Sequence, residues 1–236
     1  MRILALDTAT KSCSVAIVDD QSIMAESTSV STQTHTIHLI EMVQKVVDMS
    51  GLTLSEIDGF AVGRGPGSFT GLRIGISTIK ALAVATGKPV VGVSNLDALA
   101  MQAAISPNMI CPLMDARKGE VYFSRYRYEN GNLQKIVPAQ VSPLDEVLSA
   151  INTACVFIGE GARIYQKKIS EKVGPYASFA VPIQNTIRAS TIGQLSVNRF
   201  KQENTDDIVM LVPEYIRKSD AELGFGRKNK SLQIQV

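Results

Sequence analysis

The chain has 236 residues, 45% of them hydrophobic and 19% charged, a globular balance with room for one large domain or two smaller ones with adequate cores. A net charge of +2 without a long basic run does not mark a nucleic-acid binder, and Arg227, Lys228 and Lys230 read as a solvated tail. Cys13, Cys111 and Cys155 are too widely spaced for a disulfide framework or a zinc ribbon, and each sits in an apolar run. Residues 1–9 are too short for a signal segment, and no apolar run approaches the ~18 residues of a membrane span. These features predict a reduced, cytoplasmic protein with no membrane association.

From the N-terminus, Arg2 to Leu6 reads as a buried strand ending at Asp7. After a polar turn, Cys13 to Val18 alternates as a second strand, and Ile23 to Ser29 makes a third. Short turns between the three predict an antiparallel meander. A helix follows over Thr36 to Met49, closed by Gly51. Its apolar residues cover a broad arc, which predicts burial on two sides.

Gly59 to Val62 is a short apolar run leading into Gly63-Arg64-Gly65-Pro66-Gly67-Ser68-Phe69-Thr70-Gly71-Leu72-Arg73-Ile74-Gly75. A strand, a glycine loop and a helix N-terminus form a common anion-binding arrangement, with Ser68 or Thr70 as the cap. The sharper motifs fail. No Lys stands between Gly63 and Lys80 as a Walker loop needs, Ser68 and Thr70 replace the third glycine of a dinucleotide fingerprint, and Gly67 directly precedes Ser68 where a nucleophile elbow needs Gly-x-Ser. On pattern alone, a glycine turn that lets a helix pack closely is the favoured reading. The following helix, Leu72 to Thr86, carries the small residues Gly75, Ser77, Ala81, Ala83 and Ala85. With the first helix it offers more apolar area than one domain needs, which predicts a subunit interface over His35, His38, Leu39, Met42, Val46, Leu72 and Ile76. A strand over Val90 to Val93 and a helix over Leu96 to Ala104, capped by Ser94, complete the first half.

The second half repeats the order. Met109 to Met114 is a strand ending at Asp115, Glu120 to Tyr128 is a second, and Asn130-Gly131 is a hairpin turn to Leu133 to Val137. A helix over Leu144 to Ile151, a strand over Cys155 to Ile158, and helices near Ile164 to Val173 and Thr191 to Gln202 follow. This duplication predicts two α/β lobes, 1–106 and 107–236, divided near Ser106-Pro107-Asn108.

Lobes that each begin with a strand, an Asp and a hairpin resemble the actin/Hsp70/sugar-kinase (ASKHA, RNase H-like) fold, with mixed sheets flanked by helices. That resemblance implies two phosphate hairpins, at Asp7, Thr8 and Thr10 and at Asp115, and an adenosine loop at Ile158-Gly159-Glu160-Gly161-Ala162. The glycines expected after Asp7 are replaced by Thr8-Ala9-Thr10, and Asp115-Ala116-Arg117 lacks a Gly-Thr pair, which argues against ATP binding by this chain alone. Ala5-Leu6-Asp7-Thr8-Ala9-Thr10, Cys13-Ser14-Val15-Ala16, Gly63 to Gly75, Asp115 to Tyr122 and Pro213-Glu214-Tyr215-Ile216-Arg217 resemble the TsaB (YeaZ) family in particular.

That resemblance implies a non-catalytic subunit in tRNA threonylcarbamoyladenosine formation. Such a subunit pairs with a TsaD-type catalytic partner, is joined by a TsaE-type ATPase, forms homodimers in isolation, and meets tRNA only through the complex. The contact surface implied is the helical face of the N-terminal lobe. A vestigial or interface nucleotide site would draw on Asp7, Thr8, Thr10, Gly67, Ser68, Arg73, Asp115 and Arg117, with ATP or ADP at the partner interface and nothing bound by the chain alone. The TsaD-type metal histidines would fall on the helix from Ser94 to Ala100, which has none. His35 and His38 make no His-Glu-x-x-His site, so no metal is expected, and a peptidase reading fails for want of a zinc motif or a triad. The alternative from another class is an ATP-dependent phosphotransferase or ATPase using Asp7 and Asp115.

Overall fold

Strict alternation of apolar residues builds the first sheet. In β1 (Ile3–Asp7), Ile3 and Ala5 face one layer while Leu4 and Leu6 face the other, the period expected of a strand buried on both sides. It pairs antiparallel with β2 (Ser12–Val18), which pairs antiparallel with β3 (Ile23–Val30). These are the predicted meander. The structure, a computed structural model, describes residues 1–30 and 35–217, the side chains of 35–37 excepted; the predicted basic tail at Arg227, Lys228 and Lys230 lies outside the described residues.

After α1 (His35–Ser50), β4 (Gly59–Gly65) lies parallel to β1. Following α2 (Phe69–Thr86), β5 (Val90–Ser94) lies parallel to β4, giving the order β3-β2-β1-β4-β5. Next, α3 (Asn95–Gln102) leads to the second sheet. This contains β6 (Met109–Asp115), β7 (Glu120–Glu129) and β8 (Asn132–Pro143), then α4 (Leu144–Ser149) and β9 (Cys155–Ile158). The helices α5 (Glu160–Ile164) and α6 (Gln166–Val173) precede β10 (Ala177–Phe179), and α7 (Ala189–Lys201) closes the regular structure.

The second sheet is ordered β10-β9-β6-β7-β8. Read from its own first strand, this is the same topology as the first sheet, with the same parallel and antiparallel pairings. The predicted duplication and the ASKHA-type fold are therefore present. Asn130 (φ 52°) and Gly131 (φ 78°) both take left-handed backbone, the type I′ geometry that the Asn-Gly pair favours between β7 and β8.

Three apolar layers separate the elements. Helices α1 and α2 cover one face of the first sheet, and α4, α5 and α6 cover the outer face of the second. Between the sheets lie α3 and α7, which touch each other. Although α7 follows the second sheet in sequence, it packs on β1, β2, β4 and β5 of the first. Its N-terminus is latched there by the near-buried carboxylate of Glu26 on β3, which accepts from Ser190 N (3.2 Å), Ser190 Oγ (3.0 Å) and Arg188.

Two local expectations are corrected. In α1, Leu39, Met42, Val43, Val46 and Val47 are buried against the chain's own sheet while Ile40 and Met49 are exposed, so one face is buried rather than two. The glycine stretch is mostly regular structure. Its strand runs to Gly65, a cis Gly65-Pro66 bond follows, and the helix begins at Phe69.

Candidate functional site

Asp7 closes β1 in full burial, and the chain itself occupies its carboxylate. Asn95 Nδ2 donates to Oδ1 in a short hydrogen bond, and Ala9 N donates to Oδ2 at 3.3 Å. Asn95, at the start of α3, also accepts from Gly65 N at 2.7 Å. It therefore ties the end of β1 to the glycine stretch.

That stretch folds down on the Asp7 turn. Ser68 N donates to Ala9 O at 2.7 Å, and Thr8 Oγ1 donates to Gly71 O at 2.7 Å. Ser68 caps α2 as expected, its hydroxyl accepting from Gly71 N at 3.3 Å. The glycines are explained by this approach. A Cβ on Gly71 would lie 2.0 Å from Thr8 O, and one on Gly67 would lie 2.6 Å from Ala9 Cβ and Ala9 O. Backbone lies directly against the turn, in agreement with the close-packing reading. Asp7, Thr8, Gly67 and Ser68 are thus brought together, around a protein-filled centre.

Burial pushes the Asp7 carboxyl up to about 7, and the Glu160 charge adds to this against the opposing bonds from Asn95 and Ala9. Between the ordinary carboxylate value near ~4 and that raised value, the folded state holds a proton that the unfolded state releases. Its contribution to stability is complete below the unfolded value and is lost as pH rises through the folded one, by at most ~1.4 kcal/mol per pH unit. Urea unfolding at pH 5 and pH 8 is expected to show the stability of Asp7→Asn gaining on wild type by about 2 kcal/mol across the interval. A difference independent of pH would mean that Asp7 ionises as freely in the folded chain as in the unfolded one.

Thr10 lies apart from this centre. It lines a small cleft between the lobes with Lys11 and Ser12, facing Glu160, Arg163 and Asn185. The cleft holds about 90 Å³, against the ~300–1,000 Å³ of typical ligand pockets. Glu160 is raised above the usual carboxylate range by burial and then by the Asp115 charge, with Lys11 and Arg163 opposing. It faces both acidic turns, a role the sequence reading gave only to its loop.

Asp115 ends β6 as Asp7 ends β1, and its Oδ1 accepts from Arg117 N (3.1 Å) and Tyr165 OH (3.0 Å). Arg117 (φ 64°) and Lys118 (φ 54°) are both left-handed and both exposed. Arg73 belongs to neither turn. It donates from Nε to Tyr215 OH at 3.0 Å, and its guanidinium lies 4.9 Å from the Phe69 ring centroid.

The predicted contact residues need correction. Leu39, Met42, Val46, Leu72 and Ile76 are all under one-tenth exposed, because their apolar faces are used by the chain's own core. The exposed outer stripe of α2 is instead Arg73, Ser77, Ala81, Val84 and Ala85. His38 is exposed and pairs with Glu41 at 3.4 Å, while the side chain of His35 lies outside the described residues. Among the described residues no group of three His, Cys, Asp or Glu side chains could hold a metal, and no helix is long and apolar enough to cross a membrane.

A family model described as "TsaD: tRNA N6-adenosine threonylcarbamoyltransferase" matches residues 23–225. The tRNA threonylcarbamoyladenosine biosynthesis protein TsaB of Haemophilus influenzae is 32% identical over 232 residues, covering 92% of this chain and 94% of that one. The chain belongs to the TsaB (YeaZ) family. The Bacillus subtilis protein of the same name is 29% identical across 94% of this chain and 96% of its own. The solved structure of YeaZ from Pseudomonas aeruginosa superposes with a TM-score of 0.77 at 29% identity, over 91% of this chain and 99% of that one. Ethanolamine utilization protein EutJ from Carboxydothermus hydrogenoformans, at 13% identity and a TM-score of 0.51, shares the fold.

Proposed function

We propose that this chain is a non-catalytic subunit in tRNA threonylcarbamoyladenosine formation, pairing with a TsaD-type catalytic subunit and supporting its transfer of the threonylcarbamoyl group to the adenosine beside the anticodon. The observation that carries this reading is the filled turn after Asp7. The fold resemblance implies a first hairpin that embraces nucleotide phosphates. Here Gly67, Ser68 and Gly71 lie against Thr8 and Ala9, and Asn95 holds the Asp7 carboxylate. Family membership supports the pathway, and the filled hairpin supports a role other than chemistry.

The partner surface in this reading is the outer face of α1 and α2. Ser77, Ala81 and Ala85 are small and exposed, Val84 is 70% exposed, and Ile40 on α1 is 59% exposed. Small side chains let another helix approach closely, and the apolar rim supplies area to bury. The same face serves a homodimer when the chain is alone in the cytoplasm. A TsaE-type ATPase joins the pair, tRNA is met only through the complex, and ATP or ADP enters at the partner interface rather than on this chain.

Calorimetric titration with ATP tests the reading, first on this chain and then on its mixture with the TsaD-type subunit. Heat of binding is expected only in the mixture, together with threonylcarbamoyl transfer that depends on this chain. Tight binding and hydrolysis of ATP by the isolated chain would overturn it.

A further inference from the structure

The segment that follows α7 crosses both lobes without regular structure, and its contacts at each end are specific. On the first lobe, Glu214 N donates to Arg64 O at 2.7 Å, and the Glu214 carboxylate lies 3.3 Å from Arg64 Nε. The Tyr215 ring stacks on Phe69 at 3.9 Å between centroids, 5° from parallel, with Arg73 bonded to its hydroxyl. Two residues later the chain is on the second lobe. Arg217 donates to Ala116 O at 2.5 Å and pairs with Glu120 at 2.9 Å, its side chain 18% exposed.

The turn held by Arg217 is strained. Arg117, Lys118 and Gly119 take φ of 64°, 54° and 76° in succession. Consecutive non-glycine residues in that region cost of the order of 1–2 kcal/mol each and persist only where their surroundings over-determine them. Here the surroundings are the Asp115 carboxylate on Arg117 N, the bonds from Glu120 N to Arg117 O (3.0 Å) and from Leu144 N to Gly119 O (3.1 Å), and the Arg217 guanidinium on the neighbouring carbonyl and carboxylate. At the other end of the segment, Arg73 stands on the exposed α2 stripe that continues through Ser77 and Ala81.

We propose that residues 213–217 are a strap that locks the strained 115–120 turn of one lobe to the start of α2 on the other, so that a protein helix docking on α2 tightens that turn. The docking half rests on the pairing proposed above; the lock does not. The α2 face and the 115–120 turn thereby become coupled through one short physical connection that runs through the Phe69–Tyr215 stack.

Amide hydrogen exchange on the full chain tests the lock. Arg217→Met is expected to speed exchange at residues 116–120 about tenfold, the scale of losing one charge-assisted hydrogen bond, while β1 and β6 keep wild-type rates. Tyr215→Ala is expected to speed exchange at both 64–69 and 116–120, and Tyr215→Phe, which keeps the stack, to leave 116–120 close to wild type. Wild-type rates at 116–120 in Arg217→Met, or an effect of Tyr215→Ala confined to 64–69, would overturn the lock. Adding the TsaD-type subunit is expected to slow exchange at 116–120 in wild type but not in Tyr215→Ala. Binding without that slowing would overturn the docking half. Absence of binding would overturn the pairing and the docking half together, while the lock would still stand or fall on the variants.

Discussion

Gly71→Ala is expected to cost about 4 kcal/mol of folding stability, near the top of the range for single substitutions. The added Cβ would sit 2.0 Å from Thr8 O, a backbone atom at the end of a central strand that cannot rotate away as a side chain would. Relief requires the start of α2 to lift from the Asp7 turn. That movement stretches the Thr8 Oγ1 to Gly71 O bond and the Ser68 N to Ala9 O bond, and it pulls on the Asn95 bridge through Gly65. Alanine is intrinsically favoured over glycine inside a helix by about 0.8–1.0 kcal/mol, so propensity opposes the effect and a net loss isolates the clash. Urea unfolding measures it. A variant as stable as wild type would show that the glycine stretch is not seated on the turn, and the argument from a filled hairpin would fall with it.

The fold was legible where local rules decide. The buried run from Arg2 to Leu6, the alternation from Cys13 to Val18, the Asn130-Gly131 turn and the repeated strand ending in Asp each depend on neighbours in sequence, and each is found. The three-residue β10 was missed because Ala177-Ser178-Phe179 is too short to show a period. The return of α7 to the first sheet is set by contacts such as Ser190 with Glu26, 164 residues away in sequence. Of the candidate site, the acidic turns were legible from their repetition, but Asn95 was not. It lies 88 residues from Asp7 and reads in sequence as the ordinary polar start of a helix.

The side chains expected at an interface are buried for a different reason. Helical periodicity identifies an apolar face and is silent on what covers it. Leu39, Met42 and Val46 are covered by the first sheet. The surface left over is marked by small residues, which carry little weight on any hydrophobicity scale.

The second large effect is expected from that surface. Ala81→Arg on the outer stripe of α2 is expected to weaken pairing with the TsaD-type subunit at least about a hundredfold, or ~2.7 kcal/mol, and to change the stability of the isolated chain by no more than about 0.5 kcal/mol. Ala81 is exposed between Ser77 and Val84–Ala85, so a long side chain there meets only solvent in the monomer. In the pair, it would hold a facing helix beyond the ~8–10 Å at which small residues let two helices meet, and it would carry a charge into a face with little to pair it. Leu39→Asp provides the contrast. With Leu39 1% exposed, a carboxylate there would be buried against β2 without a partner, and loss of the folded chain is expected instead of a clean loss of pairing. Calorimetry of the mixture, with urea unfolding of each chain alone, separates the two results. Undiminished affinity in Ala81→Arg would move the partner surface off α2. Loss of affinity in a chain that remains fully folded would make the small-residue stripe, rather than the buried residues beneath it, the contact face.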